Sequence, residues 1–413
     1  MPLISLEEAW SHIADRLPRL PVQSVPLAEA LGLVTAEAVV APEPVPPFDN
    51  TAVDGFAVRA ADVASVPVTL DVVGTIAAGS PGDIEVRPGT AVRIMTGAPV
   101  PPGADAIVMV EDTTVDAGGT DQTGDGGARN ESVTIGRTVG PGQNVRPTGD
   151  DLAAGDPVVG PGTELTAGHL GLLATVGRTE VAVHRRPRVG VISTGDELVA
   201  DGTPLARGQI RDSNRLTLIA LCRQSGFDTV DLGLIRDDEA AIEAALRTGS
   251  GDCDAILSSG GVSMGDFDYV KAVLERIGDM RWMQIAIRPA KPLAFGLIDG
   301  TPVFGLPGNP VSSMVSFELF ARPGIRAMAG HAELGRRRVR AIADQDFGRR
   351  ADGKVHFARV VVDQDEDNSF HVASAGGQGS HQLSAMATAN GLAVLPDGDG
   401  VRPGGPVEVI LLG

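Results

Sequence analysis

The residues best suited to chemistry form a glycine-rich turn between a predicted strand and a predicted helix. Residues 255–257, AIL, are typical of a buried parallel strand, and apolar residues recur at helical spacing over 270–277. Small residues at 258–263 would let an anion approach backbone N–H groups at the helix N-terminus. Asp266 and Asp268 follow within one turn, so a metal ion could bridge a phosphate and these carboxylates. An ordinary turn whose aspartates cap the helix would show the same pattern.

Strands and helices alternate over residues 187–331, which predicts a doubly wound α/β domain. Ligands of such domains bind outside the carboxyl ends of the strands. Polar and glycine residues follow three successive strands here: Thr194, Gly195, Asp196, Glu197, Asp237, Asp238, Ser259, Gly260, Gly261 and Asp268. Each acid alone could cap a helix, but so many carboxylates at one edge would repel one another without a cation. The combination predicts a metal or anion site.

Two further segments of this domain are suited to binding anions. Arg288 and Lys291 each directly precede a proline, and the prolines hold the backbone extended, as a rigid clamp on an anion requires. Residues 304–312, FGLPGNPVS, read as a strand, a tight turn and a helix start with free N–H groups. No Walker A pattern occurs, so a nucleotide would not be held in a P-loop.

The rest of the chain is predicted to form three more domains around this one. Residues 1–44 and 146–186 are predicted to be a helical and linker domain, 45–145 an inserted β domain, 187–331 the α/β domain, and 332–413 a C-terminal β domain. Ser5 and Glu8 form a capping box that opens one helix, and a second helical piece is predicted over 27–38. Residues 113–132 are polar and glycine-rich, which predicts a flexible loop without chemistry.

The composition limits the class of protein. The chain has 413 residues, a globular balance of apolar and charged residues, and a net charge of -19, which argues against general binding to nucleic acid or to an anionic membrane. An anionic ligand therefore needs a local cationic pocket. Cys222 and Cys253 are predicted to be buried free thiols in a reducing compartment. No signal peptide or membrane span is evident, so a cytoplasmic location is expected.

Seven motifs occur in the order found in molybdopterin molybdotransferases, a family that includes the E domain of gephyrin: FDNTAVDGFA, RIMTGAPVP, STGDEL, LIRDD, SSGGVSMGDFDY, IRPAKP and LPGNPVS. The chain resembles this family over nearly its whole length. The resemblance implies a homodimer of four-domain subunits, with an α/β domain similar to molybdopterin adenylyltransferases. It also implies an enzyme that requires Mg²⁺, takes adenylylated molybdopterin and molybdate, and releases AMP and molybdenum cofactor.

The resemblance further implies roles for single residues. The catalytic group would be Asp54, Glu197, Asp237, Asp268, Arg288 and Lys291, with Glu197 and Asp237 as metal ligands. Residues that would bind the pterin substrate and its phosphate are Thr96, Asp151, Thr194, Gly195, Ser259, Gly260, Gly261, Ser263, Pro307, Pro310 and Ser380. Asp54 and Thr96 would reach the cleft from the β domain of the dimer partner.

Two departures and three alternatives qualify this interpretation. Phe56 replaces the usual tyrosine, which removes one hydroxyl. Gln284 stands where some relatives have a lysine, so one oxyanion contact is expected either to be weaker or to come from another cation. The alternatives are an adenylyltransferase that makes the adenylylated pterin, a non-catalytic scaffold, and an enzyme that inserts tungstate. A molybdopterin adenylyltransferase and maturation proteins of molybdoenzymes are possible partners.

Overall fold

A computed structural model describes residues 2–116, 131–260 and 269–412. The chain divides into two compact units. The first unit comprises Met1–Glu37, Pro161–Ala167 and Glu180–Gly413, and the second comprises Ala38–Gly160 and Gly168–Thr179. We describe each unit by itself.

The α-helices of the described ranges are mostly in the first unit. They are α1 (Leu6–Ala14), α2 (Ala167–Thr175), α3 (Asn214–Gln224), α4 (Glu239–Asp252), α5 (Tyr269–Ile277), α6 (Pro310–Ser316), α7 (Arg322–Met328) and α8 (Leu383–Thr388). One π-helical segment, Phe317–Ala321, joins α6 to α7. In the parts of the chain described above, no helix is both long enough and apolar enough to cross a membrane.

A seven-stranded sheet forms the centre of the first unit. Its strands, in spatial order, are Leu3–Ile4, Asp279–Ile285, Pro292–Ile298, Thr301–Leu306, Ala255–Ser259, Arg188–Thr194 and Asp228–Ile235. The last four run parallel. Leu257 packs in a core with α3, while its neighbour Ile256 packs in another with α4 and α5, because successive side chains of a strand point to opposite faces. The predicted α/β domain is confirmed.

The predicted β domains are also confirmed. The second unit contains a six-stranded sheet of Thr113–Asp116, Ser132–Ile135, Val68–Ile76, Thr90–Ile94, Gly55–Val58 and Ala106–Met109. The C-terminal part of the first unit contains a six-stranded sheet of Ile287–Arg288, Val355–Gln364, Phe370–Ser374, Arg338–Ala343, Pro406–Leu411 and Gly391–Leu395. The predicted loop over 113–132 is shortened, because residues at both of its ends pair as antiparallel strands; residues 117–130 lie outside the described residues.

The prediction of a helical N-terminal domain is not confirmed, since strands and helices occupy similar shares of this part of the chain. Helix α1 begins as expected, with the Ser5 hydroxyl accepting the Glu8 N–H at 3.0 Å. The helix predicted over 27–38 is reduced to one 3-10 turn, Leu27–Glu29, before Gly32 takes a φ of 73°. The strands Val22–Pro26 and Val34–Thr35 flank this turn, and both pair with Glu180–His184. Pairing with this distant strand, which contains the β-branched residues Val181 and Val183, overrides the local helical pattern.

Candidate functional site

A cavity of about 310 Å³ lies at the carboxyl ends of the parallel strands, where the sequence predicts a site. We call it the strand-end cavity. The predicted site residues that line it are Thr194, Glu197, Ser259, Gly260 and Pro310. Its wall also includes Arg211, Asp212, Ser213, Asn214, Gly308, Asn309 and His381. Hydroxyl, amide, charged and backbone polar groups all occur on this wall, and such groups fix the orientation of a bound ligand.

Backbone geometry at two glycines shapes this cavity. Gly260 has a φ of 95°, and its N–H donates to the Leu306 carbonyl at 3.0 Å. Gly195 has a φ of 145°, and a Cβ placed there would lie 2.6 Å from Oε2 of Glu197. A side chain at position 195 would therefore displace the Glu197 carboxylate from the cavity edge. Gly261, Ser263 and Asp268 lie outside the described residues, so the predicted phosphate cradle is seen only at its first residue.

The acids that follow the second strand, Asp228–Ile235, adopt two different arrangements. The Asp196 N–H donates to Oδ2 of Asp237 at 3.4 Å, and the Asp237 N–H donates to Oδ1 of Asp196 at 3.4 Å. Asp238 caps α4, because its Oδ1 accepts the Ala241 N–H at 2.8 Å. The helix-cap alternative therefore holds for Asp238, while Asp237 stays at the strand edge beside Asp196.

The carboxylates present suit only one kind of metal site. Among the described residues, no three His, Cys, Asp or Glu side chains cluster closely enough to hold a metal ion by themselves. Mg²⁺, however, is usually bound by one or two carboxylates together with substrate phosphates. The Glu197 carboxylate is exposed on the cavity wall, so it suits a Mg²⁺ ion that is also bound by a substrate phosphate.

A second cavity, of about 290 Å³, is lined by cations, and we call it the cationic cavity. Arg288, Lys291 and Lys354 line it together with Ser312 and Ser380. Within residues 2–116, 131–260 and 269–412, neither Arg288 nor Lys291 has an ion-pair partner, and none of the lining residues is acidic. Such unpaired charge favours an oxyanion ligand.

The two cavities are lined by neighbouring residues of the same two segments, the start of α6 and the glycine loop 376–381. Pro310 and His381 line the strand-end cavity, whereas Ser312 and Ser380 line the cationic cavity. The Val311 N–H donates to the Ser380 carbonyl at 3.1 Å, which joins the start of α6 to the glycine loop 376–381. Pro307 is buried in the turn that leads into this helix. The two cavities are therefore connected through the start of α6 and this loop.

One functional candidate, Arg359, is absent from the sequence-based predictions. Its side chain is almost fully buried, and its Nη2 donates to the carbonyls of Gly377 and Gly379 at 3.0 and 3.2 Å. Burial lowers the pKa of this guanidinium, and no carboxylate pairs with it in the parts of the chain described above. Arg359 therefore positions the loop that contains Ser380. The signal available in the sequence was a lone arginine inside the apolar run HFARVVV.

The remaining predicted residues, Asp54, Thr96 and Asp151, belong to the second unit. Oδ1 of Asp54 accepts the Thr96 N–H at 2.7 Å and the Thr96 hydroxyl at 2.8 Å. These two hydrogen bonds, the backbone one first, hold the pKa of Asp54 below its usual value. The Thr96 hydroxyl, predicted to face a ligand, donates to Asp54 instead. Asp151 is exposed, and its N–H donates to the Val45 carbonyl at 2.9 Å.

Comparison with known families gives the class of protein. Three family models match successive parts of the chain. They are the MoeA N-terminal region (domain I and II) over residues 4–177, the probable molybdopterin binding domain over 190–327, and the MoeA C-terminal region (domain IV) over 341–412. The four domain boundaries given in the first subsection stay predictions.

Whole-length relatives narrow this class to one family. The molybdopterin molybdenumtransferase of Haemophilus influenzae is 40% identical over 396 residues, 95% of this chain and 94% of that protein. Molybdopterin molybdenumtransferase 2 of Mycobacterium tuberculosis is 40% identical over 403 residues, 95% of both chains. The crystal structure of the molybdopterin biosynthesis moeA protein of Pyrococcus horikoshii matches with a TM-score of 0.80 and 29% identity, covering 99% of this chain and 100% of that one. The chain belongs to the molybdopterin molybdenumtransferase family, so it is a transferase of molybdenum cofactor biosynthesis.

Proposed function

We propose that this protein inserts molybdenum from molybdate into adenylylated molybdopterin and releases AMP, with Mg²⁺ required. The observation that supports this reaction is that α6 and the glycine loop 376–381 contribute residues to the lining of both the strand-end cavity and the cationic cavity. A molybdate oxygen or a water would attack the adenylyl phosphorus, and the bond from that phosphorus to the molybdopterin phosphate would break. The dithiolene sulfurs of molybdopterin would bind molybdenum, and each oxygen that they displace from it would leave with AMP or, with the thiol protons, as water. Because both nucleophiles come from outside the protein, no protein nucleophile is needed.

The two cavities would then hold different parts of the reactants. Thr194, Gly195, Ser259 and Gly260 would bind the organic substrate at the strand ends. The residues outside the described ranges, Gly261, Ser263 and Asp268, stay part of this assignment, as do Pro307, Pro310 and Ser380. Arg288 and Lys291 would neutralise the oxygens of molybdate and of the reacting phosphate, which stabilises charge that grows during transfer.

We assign the magnesium ligands to Glu197 and Asp237. Mg²⁺, when bound, supplies charge neutralisation at the departing phosphate. Glu197 fits this role by its position on the wall of the strand-end cavity. Asp237 fits because it lies just beyond the end of the neighbouring parallel strand, Asp228–Ile235, although it does not line that cavity.

We further propose a homodimer in which the second unit of the partner subunit completes the site. Asp54 is exposed and fixed by Thr96, so its carboxylate is available to a ligand from outside its own unit. Asp151 would act with it.

Cys222 and Cys253 are buried free thiols, as expected of a protein from a reducing, cytoplasmic compartment.

Release of AMP from adenylylated molybdopterin tests the proposal directly. We expect release that depends on both molybdate and Mg²⁺. A parallel assay with ATP and molybdopterin, without molybdate, tests the adenylyltransferase alternative. Tungstate in place of molybdate tests ion selectivity, since no lining residue of the cationic cavity distinguishes two oxyanions of the same charge and shape. Absence of AMP release from a folded, dimeric protein would contradict the proposed function.

A further inference from the structure

Asn214 stands out in the strand-end cavity, because its side chain connects two ligand-binding turns. Its Nδ2 donates to the Ser259 hydroxyl at 2.8 Å and to the Gly308 carbonyl at 2.7 Å. Ser259 begins the glycine-rich turn, and Gly308 lies in the turn before α6. One amide group thus connects the ends of two parallel strands.

These two bonds fix which way the amide points. A backbone carbonyl only accepts hydrogen bonds, so the atom that faces Gly308 must be the NH₂ group. Both of its hydrogens are then used, and Oδ1 of Asn214 is left as an acceptor. Among the described residues no group donates to Oδ1, although Asn214 lines the cavity.

The neighbouring residues hold this amide in place. Asn214 is the first residue of α3, and the Asp212 carboxylate before it is buried. Oδ1 of Asp212 accepts the Ser193 hydroxyl at 3.1 Å, and Oδ2 accepts Nε of Arg215 at 2.9 Å. The start of the helix is therefore attached to the end of a third strand, which leaves Asn214 little freedom to turn.

We infer that Oδ1 of Asn214 recognises an N–H or O–H donor of the organic substrate. A molybdate ion or an ionised phosphate offers only acceptors, so such a group cannot satisfy this oxygen. The donor would come from the pterin ring of molybdopterin or from the ribose or base of the adenylate. This inference rests on the proposed function and adds a recognition residue to it.

The experiment measures binding of three probes, AMP, molybdopterin and molybdate, to the full-length protein. For Asn214→Ala we expect the Kd of one donor-bearing probe to rise about tenfold, because one hydrogen bond to the ligand is lost. The Kd for molybdate should stay unchanged. Whichever of AMP and molybdopterin responds identifies the source of the donor.

Two further variants separate recognition from support of the fold. Ser259→Ala removes one of the bonds that hold the amide but keeps Oδ1, so it should weaken binding less than Asn214→Ala. Gln224→Glu changes charge on the exposed end of the same helix and should bind all three probes like wild type.

Two results would overturn the inference alone. One is wild-type affinity of Asn214→Ala for both AMP and molybdopterin. The other is an equal loss of affinity for all three probes together with a lower Tm, since that pattern indicates a purely structural residue. A wild-type protein that binds neither AMP nor molybdopterin and releases no AMP would instead contradict the proposed function, and the inference with it.

Discussion

The strand-end cavity and the cationic cavity are similar in size but opposite in character. The first, of about 310 Å³, presents both signs of charge, with Glu197 and Asp212 on its wall beside Arg211. The second, of about 290 Å³, is lined by Arg288, Lys291 and Lys354 without any acid. One cavity offers directed hydrogen bonds, and the other offers concentrated positive charge.

This difference shows how a chain of net charge -19 can attract an oxyanion. Arg288 and Lys291 stand apart from carboxylates, so their charge is not neutralised locally. In the strand-end cavity, in contrast, oxygens of both the ligand and the protein would bind the proposed Mg²⁺ ion. Two separate cavities that are lined by the same two segments, α6 and the loop 376–381, would let each reactant bind by its own chemistry.

The largest effect is expected at the acids assigned to magnesium. Asp237→Ala should abolish AMP release, by about a thousandfold or more, while the fold stays intact. Glu197→Gln should behave similarly, since the change removes the charge but keeps the shape. Single-turnover AMP release measures both, and Asp238→Asn is the matched control because asparagine also caps a helix. Wild-type turnover in folded Asp237→Ala would contradict the metal assignment.

Loss of a cation should give the next largest effect. Lys291→Ala or Arg288→Ala should lower kcat/KM for molybdate by about a hundredfold, since each removes a charged hydrogen bond. Binding of AMP should change little, because AMP is assigned to the other cavity. Arg350→Ala removes an exposed arginine from the same unit and serves as the control. Equal losses of AMP and molybdate binding would show that the two cavities do not act separately.

Arg359→Lys should affect both cavities moderately. The lysine keeps the charge but cannot reach both Gly377 and Gly379, so the loop that contains Ser380 and His381 loses its support. We expect KM for molybdate to rise about tenfold and Tm to fall. Arg340→Lys, at an exposed position of the same sheet, is the control. Unchanged KM and Tm would show that Arg359 has no role in positioning the loop.

The smallest effect is expected in the second unit, at Thr96→Val. This change keeps the backbone N–H bond to Asp54 and removes the hydroxyl bond, so the pKa of Asp54 should rise part of the way to its usual value. Because the folded pKa of Asp54 is depressed, its contribution to stability is present above the unfolded pKa and is lost as pH falls through the folded value. An NMR titration of Asp54 measures the shift, and an unchanged pKa would show that the hydroxyl bond has no influence.

Local sequence determined much of this protein. The short apolar runs and glycine turns predicted the parallel strands, and those strands place Thr194 and Ser259 at one edge, because carboxyl ends of parallel strands meet there. The cations Arg288 and Lys291, together with the prolines beside them, predicted a cationic site without reference to any distant residue. Each of these features depends only on residues that are close together in the chain, so the sequence alone is enough to predict it.

Tertiary structure alone decided the rest. The helix predicted over 27–38 gave way to strands because Glu180–His184, far along the chain, pairs with its flanks. Arg359 supports a loop some twenty residues away, and Asn214 joins turns 45 and 94 residues away. The lining that both cavities take from α6 and the loop 376–381 likewise depends on the contact between these two segments. These contacts join residues that no local pattern relates, and only the folded chain brings their atoms within hydrogen-bond distance.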